Sequence, residues 1–71
     1  MKEVLIKTEN INLDKFLKWA GIFSTGGEAK IFIGQGDIKV NGEVELKRSR
    51  QLSPGDYVEF AGEKYVVVRG E

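Results

Sequence analysis

The sequence predicts one α+β domain in which two helices pack on a small, mostly antiparallel sheet of four to five strands. The 71 residues include 41% hydrophobic and 31% charged residues, an ordinary globular balance for a single domain with one thin core. In the first half, apolar residues recur at helical spacing. In the second half, short runs of alternating apolar and polar residues lie between glycine-containing turns, which is typical of strands.

The first half begins with a strand within residues 2–7, where the apolar run Val4-Leu5-Ile6 predicts a strand at an edge or covered on both faces. A first helix follows a cap at Asn10 or Asn12 and ends at Gly21. Its buried stripe has the spacing i, i+3, i+4, i+7 and comprises Leu13, Phe16, Leu17 and Ala20.

A second helix is predicted after Ser24 or Thr25, because Glu28 lies three residues after Thr25, as in a capping box. Gly34 and Gly36 end this helix, and its core stripe comprises Ala29, Phe32 and Ile33. Ile31 lies outside the stripe, and we expect the N-terminal strand to cover it. Phe23, in the loop between the helices, either caps the core or is exposed.

The second half predicts a hairpin at Asn41-Gly42. A two-residue loop would pair Val40 with Glu43 and place an acid on the apolar face, so we favour a three-residue loop with a glycine bulge at Gly42. Ser53-Pro54-Gly55-Asp56 predicts a type II turn. Two further strands follow, at residues 57–60 and 64–69.

Composition excludes several classes of function. The chain has no cysteine and no histidine, so it has no disulfide, no zinc site and no histidine-assisted nucleophile. Such a small domain has no room for a catalytic cavity, and no segment approaches the length of a membrane span. We therefore expect a cytoplasmic, non-enzymatic protein without cofactor or metal. Eleven basic and eleven acidic residues balance overall, but residues 12–50 carry a net charge of +2 and residues 51–71 a net charge of −2.

The candidate binding residues lie in three segments that are basic or rich in glycine. Lys15 and Lys18 project opposite the apolar stripe of the first helix. Thr25-Gly26-Gly27, followed by Lys30, begins the second helix, where free backbone N–H groups favour phosphate. The densest basic run is Lys47-Arg48-Ser49-Arg50. Each feature alone is more often a solvated surface or a plain loop than a binding site. Trp19 is interpreted as a residue at the edge of the core, with a stacking platform for an unpaired base as the alternative.

Three segments at their present spacing resemble the ribosomal-protein-S-four (alpha-L) RNA-binding domain: Leu13-Asp14-Lys15-Phe16-Leu17, Gly36-Asp37-Ile38-Lys39-Val40-Asn41-Gly42 and Pro54-Gly55-Asp56-Tyr57-Val58. The resemblance covers residues 12–60 of a single domain, 1–71. It is closest to the small stand-alone bacterial members, the YaaA/YbcJ-like proteins. It implies an alpha-L motif and binding of structured RNA, ribosomal or ribosome-associated, with the ribosome or its assembly intermediates as partners.

By position, the resemblance implies RNA contacts at Lys15, Lys18, Thr25, Gly26, Gly27, Lys30, Lys47, Arg48 and Arg50. Two cations common in the family are missing, because Asn12 and Thr25 stand where many members carry Arg. The backbone of Thr25-Gly26-Gly27 would then supply donors in place of the second Arg. The alternative function is a small protein-interaction adaptor with a weakened RNA face.

Overall fold

The computed structural model describes residues 1–70. Its main sheet has five strands in the order β1-β7-β6-β3-β4. They are β1 (Lys2–Ile6), β3 (Lys39–Val40), β4 (Glu43–Val44), β6 (Tyr57–Phe60) and β7 (Glu63–Arg69). Strand β1 pairs with β7 in parallel, and the other pairs are antiparallel. This arrangement confirms the predicted sheet and places β1 at its edge.

Two helices, α1 (Leu13–Trp19) and α2 (Gly26–Gly34), pack against each other and supply about half of the core. Most residues of the predicted stripes are buried, although Ala20 and Phe32 are only partly so. Gly21 follows α1 with a φ of +76°, as expected of a left-handed helix end. The helices and the sheet share one hydrophobic core, which includes Leu13, Phe16, Leu17, Ala29, Ile33, Ile6, Val40, Val58 and Val67.

A second, two-stranded ribbon was not predicted. It pairs β2 (Ile11–Asn12) with β5 (Gln51–Leu52) in antiparallel fashion. The ribbon fastens the segment before α1 to the segment that follows the basic run. It therefore fixes the position of that run relative to α1.

Three phenylalanines form an aromatic cluster at one end of the core. Phe23 stacks on Phe32 at 4.8 Å between ring centroids and meets Phe60 at 5.1 Å. Phe23 is only 6% exposed, so it caps the core. Ile31, by contrast, is 58% exposed, and the prediction that the N-terminal strand covers it was wrong. Strand β1 instead lies beside α1, where the backbone oxygen of Leu5 accepts a hydrogen bond from the last residue of that helix.

The hairpin between β3 and β4 has a two-residue loop, so the prediction of a three-residue loop was wrong. Val40 pairs with Glu43, and both loop residues have positive φ, +54° at Asn41 and +87° at Gly42, as a type I′ turn requires. The acid is tolerated because β4 is a two-residue edge strand whose side chains are exposed. The predicted type II turn at residues 53–56 is confirmed, with Gly55 at φ +98° and the Asp56 N–H donating to the oxygen of Ser53.

Candidate nucleic-acid interface

The loop of residues 47–50, hereafter the basic loop, caps the first helix with its own backbone. The N–H of Leu13 donates to the oxygen of Arg50 at 2.8 Å, and that of Asp14 donates to the oxygen of Arg48 at 3.1 Å. These bonds satisfy two of the N–H groups that a helix leaves free at its start. Asn12 stands at the cap position, but its side chain accepts from Gln51 instead. The predicted asparagine cap is therefore replaced by the basic loop, which is held against the start of α1.

Glu45 fixes the shape of the basic loop by accepting hydrogen bonds from it. One of its carboxylate oxygens accepts from the N–H groups of Leu46 and Lys47, each at 3.1 Å. The other accepts from Nη1 of Arg50 at 2.7 Å. The hydrogen bond from Arg50 and then that from the Lys47 N–H lower the pKa of Glu45 from its ordinary value. Arg50 thus points to an acid, and its charge is partly compensated within the protein.

Glu45 was not singled out from the sequence. A weak signal was present, because an acidic side chain at the start of a loop can accept from the N–H groups of the next two residues. The partnership with Arg50, five residues on, depends on the turn between them. It was therefore not visible in the alternation of the strand.

A surface hollow of about 460 Å³ lies between α2 and the basic loop. It brings together three of the predicted contact residues, Lys30 from the helix and Lys47 and Arg48 from the loop. No acidic side chain is among the described residues that line it, which are Lys30, Ile33, Gly34, Leu46, Lys47, Arg48 and Ser49. Three cations around an apolar floor form a site suited to an anionic ligand with an apolar part.

The first helix contributes the remaining predicted lysines. Lys15 and Lys18 are exposed opposite the buried stripe, and together with Trp19 they border a hollow of about 340 Å³. The basic loop touches the start of this helix and also lines the hollow beside α2, so it links the two sets of cations. We call the six cations the basic face: Lys15, Lys18, Lys30, Lys47, Arg48 and Arg50. Asp14 lies in the first turn of α1 and Glu28 in the first turn of α2. Both carboxylates interact favourably with the positive end of the helix dipole, and both reduce the positive charge nearby.

The Thr25-Gly26-Gly27 segment begins α2 as predicted. The hydroxyl of Thr25 accepts from the N–H of Glu28 at 3.2 Å. A Cβ added at Gly26 would meet nothing within 4 Å, and one at Gly27 would meet only the Thr25 hydroxyl, at 3.8 Å. Neither backbone strain nor packing therefore requires these glycines. The segment is exposed and lies at the N-terminal end of α2. It does not line the hollow that Lys30 shares with the basic loop.

Residues 1–70 contain neither a metal-binding cluster nor a membrane-spanning helix. No group of three or more carboxylates in that range is arranged to hold a metal ion. Neither helix has the length or the apolar character needed to cross a membrane.

Comparisons with known proteins point to one family. The sequence model of the S4 domain matches residues 4–68. RlbA of Bacillus subtilis, named a probable ribosome maturation protein, is 42% identical over 59 residues, which span 83% of each chain. YbcJ of Escherichia coli is 37% identical over 62 residues, 87% of this chain and 89% of its own. Tyrosine–tRNA ligases of Bordetella are 34% identical over 64 residues, but that stretch is only 16% of their length.

The fold has solved counterparts. The solution structure of Escherichia coli YbcJ, reported to reveal an alpha-L motif involved in RNA binding, covers 96% of this chain and 87% of its own at 35% identity, with a TM-score of 0.72. The 30S ribosomal protein S4e of Thermoplasma acidophilum matches 84% of this chain with a TM-score of 0.63. At 22% identity, that second likeness concerns the fold alone. Two helices on a mixed five-stranded sheet are thus shared with an alpha-L structure.

Proposed function

The chain belongs to the S4 domain family, and from this premise we propose that residues 1–71 act as one non-enzymatic domain that binds structured RNA through the basic face. One observation carries the proposal. Lys30, Lys47 and Arg48 line the same hollow, and no acid is among its described lining residues. A chain with zero net charge attracts RNA only through such a local concentration of cations.

The chemistry of the hollow suits a nucleic-acid backbone. The guanidinium of Arg48 offers a planar fork that matches two phosphate oxygens, and the two lysines offer compact charges. Leu46 lies on the same hollow and is 62% exposed, so a ribose can pack on it while its phosphates meet the cations.

The Thr25-Gly26-Gly27 segment is a second part of the proposed contact surface. Its side of α2 is exposed, and the absence of Cβ atoms leaves the backbone free for close approach of phosphate. Arg50 has a different place in the proposal. It both contacts RNA and, through Glu45, fixes the shape of the loop that carries Lys47 and Arg48.

Ribosomal or ribosome-associated RNA is the target we propose, within the ribosome or its assembly intermediates. The support is the similarity to RlbA, which is named for ribosome maturation and matches over most of both chains. Crosslinking in cells followed by sequencing of the bound RNA tests this point. We expect fragments of ribosomal RNA from a discrete region, and recovery of other RNAs alone would contradict it.

Binding of structured RNA is tested by gel mobility shift with an RNA hairpin. We compare the double variant Lys30→Gln, Lys47→Gln with a matched control, Lys64→Gln, Arg69→Gln, which removes two cations from β7. The first variant should weaken binding by about 100-fold or more, because two charge-assisted hydrogen bonds are lost and each contributes about 1.5–3 kcal/mol. The control should bind as the wild type does. Equal loss in both variants, or no binding of the hairpin by the wild type, would contradict the proposal and favour the protein-interaction adaptor.

A further inference from the structure

Trp19, the last residue of α1, is held in place although its side chain is open to solvent. The residue is 58% exposed, yet its Nε1 donates a hydrogen bond of 2.7 Å to the backbone oxygen of Leu5 in β1. A position at the edge of the core, favoured from the sequence, explains this bond but not the exposed ring. An indole fixed by its N–H presents its ring without a further loss of side-chain entropy when a ligand arrives.

Two hollows border this ring, and a third shares residues with both of them. One of about 270 Å³ is lined by Ile6, Lys7, Thr8, Ile11 and Trp19. A second, of about 340 Å³, is bordered by Trp19 and the lysines of α1. A third, of about 290 Å³, shares Ile11 with the first hollow and Lys15 with the second. The hollows thus place the indole and the apolar side chains of Ile6 and Ile11 next to three cations, Lys7, Lys15 and Lys18.

An unpaired nucleotide fits this combination. A nucleobase is flat and stacks on an aromatic ring, and the phosphates on either side of it need cations a few ångströms away. An apolar protein surface fits less well, because lysine is depleted where proteins bury their contacts. We propose that Trp19 is a stacking platform for one unpaired nucleobase of the bound RNA, with Lys15 and Lys18 binding the flanking phosphates.

This inference rests on the proposed RNA-binding function and narrows its ligand. The basic loop and Lys30 bind the backbone of a paired stem, while Trp19 receives a base that leaves the stem. The preferred RNA is therefore a stem interrupted by an unpaired residue, not a continuous duplex.

The test uses two RNA hairpins, one with a fully paired stem and one with a single unpaired adenosine in the same stem. Trp19 is the only tryptophan in the chain, so its fluorescence reports directly on stacking. The hairpin with the unpaired adenosine should bind more tightly and quench the emission more at saturation. Trp19→Leu should lower the affinity for that hairpin by about 5- to 150-fold, the range that loss of one base–aromatic stack gives. Trp19→Phe should keep most of the affinity.

Val44→Ala is the matched control, because Val44 is exposed to a similar extent, 53%, and lies on β4, outside the basic face. It should leave binding of both hairpins unchanged. Circular dichroism checks the fold of each variant, and the wild-type quenching comparison decides the matter even if Trp19→Leu unfolds. Equal affinity and equal quenching with both hairpins would overturn the stacking site and leave the proposed function standing. Failure to bind either hairpin would overturn both.

Discussion

Replacing Arg48 with Gln should change the salt dependence of RNA binding by a defined amount. The basic face has six cations, but Arg50 lies 2.7 Å from Glu45 and is partly neutralised before RNA arrives. If the remaining cations each meet a phosphate, counterion release predicts a slope of about −4 for log affinity against log salt. Arg48→Gln should reduce this slope to about −3, because one phosphate contact is lost.

The predicted difference is large enough to measure. Between about 50 and about 200 mM salt, a slope of −4 lowers affinity by roughly 250-fold, and a slope of −3 by roughly 60-fold. Fluorescence anisotropy of a labelled RNA hairpin across a salt series gives both slopes. Arg50→Gln should change the slope by less than Arg48→Gln does, since its charge is already shared with Glu45.

Lys64→Gln is the control for this experiment. Lys64 lies on β7, where its ammonium stands 5.7 Å from the ring centre of Tyr57, and it lines neither hollow of the basic face. Its loss should leave the slope unchanged. The reasoning is refuted if Arg48→Gln keeps the wild-type slope, or if Lys64→Gln flattens it by the same amount.

Three other predictions concern the loop, the glycines and the core. The pKa of Glu45 is lowered, so its hydrogen bonds stabilise the loop fully above the ordinary glutamate pKa of about 4.3 and are lost as the pH falls through the lowered pKa. The amide NMR signals of Leu46 and Lys47 should therefore shift together as the pH falls through that range. Glu45→Gln should abolish this titration. Gly27→Val should weaken RNA binding more than it changes the melting temperature, since its Cβ meets only a hydroxyl at 3.8 Å; large destabilisation with unchanged affinity would count against a backbone contact. Phe23→Ala should cost about 3–5 kcal/mol in urea unfolding because it empties a buried aromatic site, and a cost below about 1 kcal/mol would show that the cluster does not carry the core.

Local patterns were sufficient for the helices and several turns. The stripes of α1 and α2 are visible from residue spacing because burial on one helix face follows the 3.6-residue period. The positions of Gly21 and Gly55 could be predicted because glycine is the residue that most readily adopts a left-handed conformation. The basic residues were candidates from the sequence alone, and the resemblance to the alpha-L motif identified RNA as their expected ligand.

The features that were missed depend on contacts between distant segments. The predicted length of the hairpin loop was wrong because the exposure of β4 at the sheet edge is a property of the whole sheet. An edge strand tolerates an acid that a central strand would not. The ribbon between β2 and β5 joins residues far apart in sequence, as in the Asn12–Gln51 pair. The exposure of Trp19 likewise depends on where β1 docks beside α1.

The central claim is that this chain binds RNA through one basic face, and NMR mapping tests it most directly. A ¹⁵N-labelled sample is titrated with an RNA hairpin, and the shift of each backbone amide is followed. We expect the largest shifts at the start of α1, along the exposed side of α2 and in the basic loop, with small shifts in β7. Shifts centred on β7, shifts spread evenly over the chain, or no shifts at saturating RNA would contradict the claim.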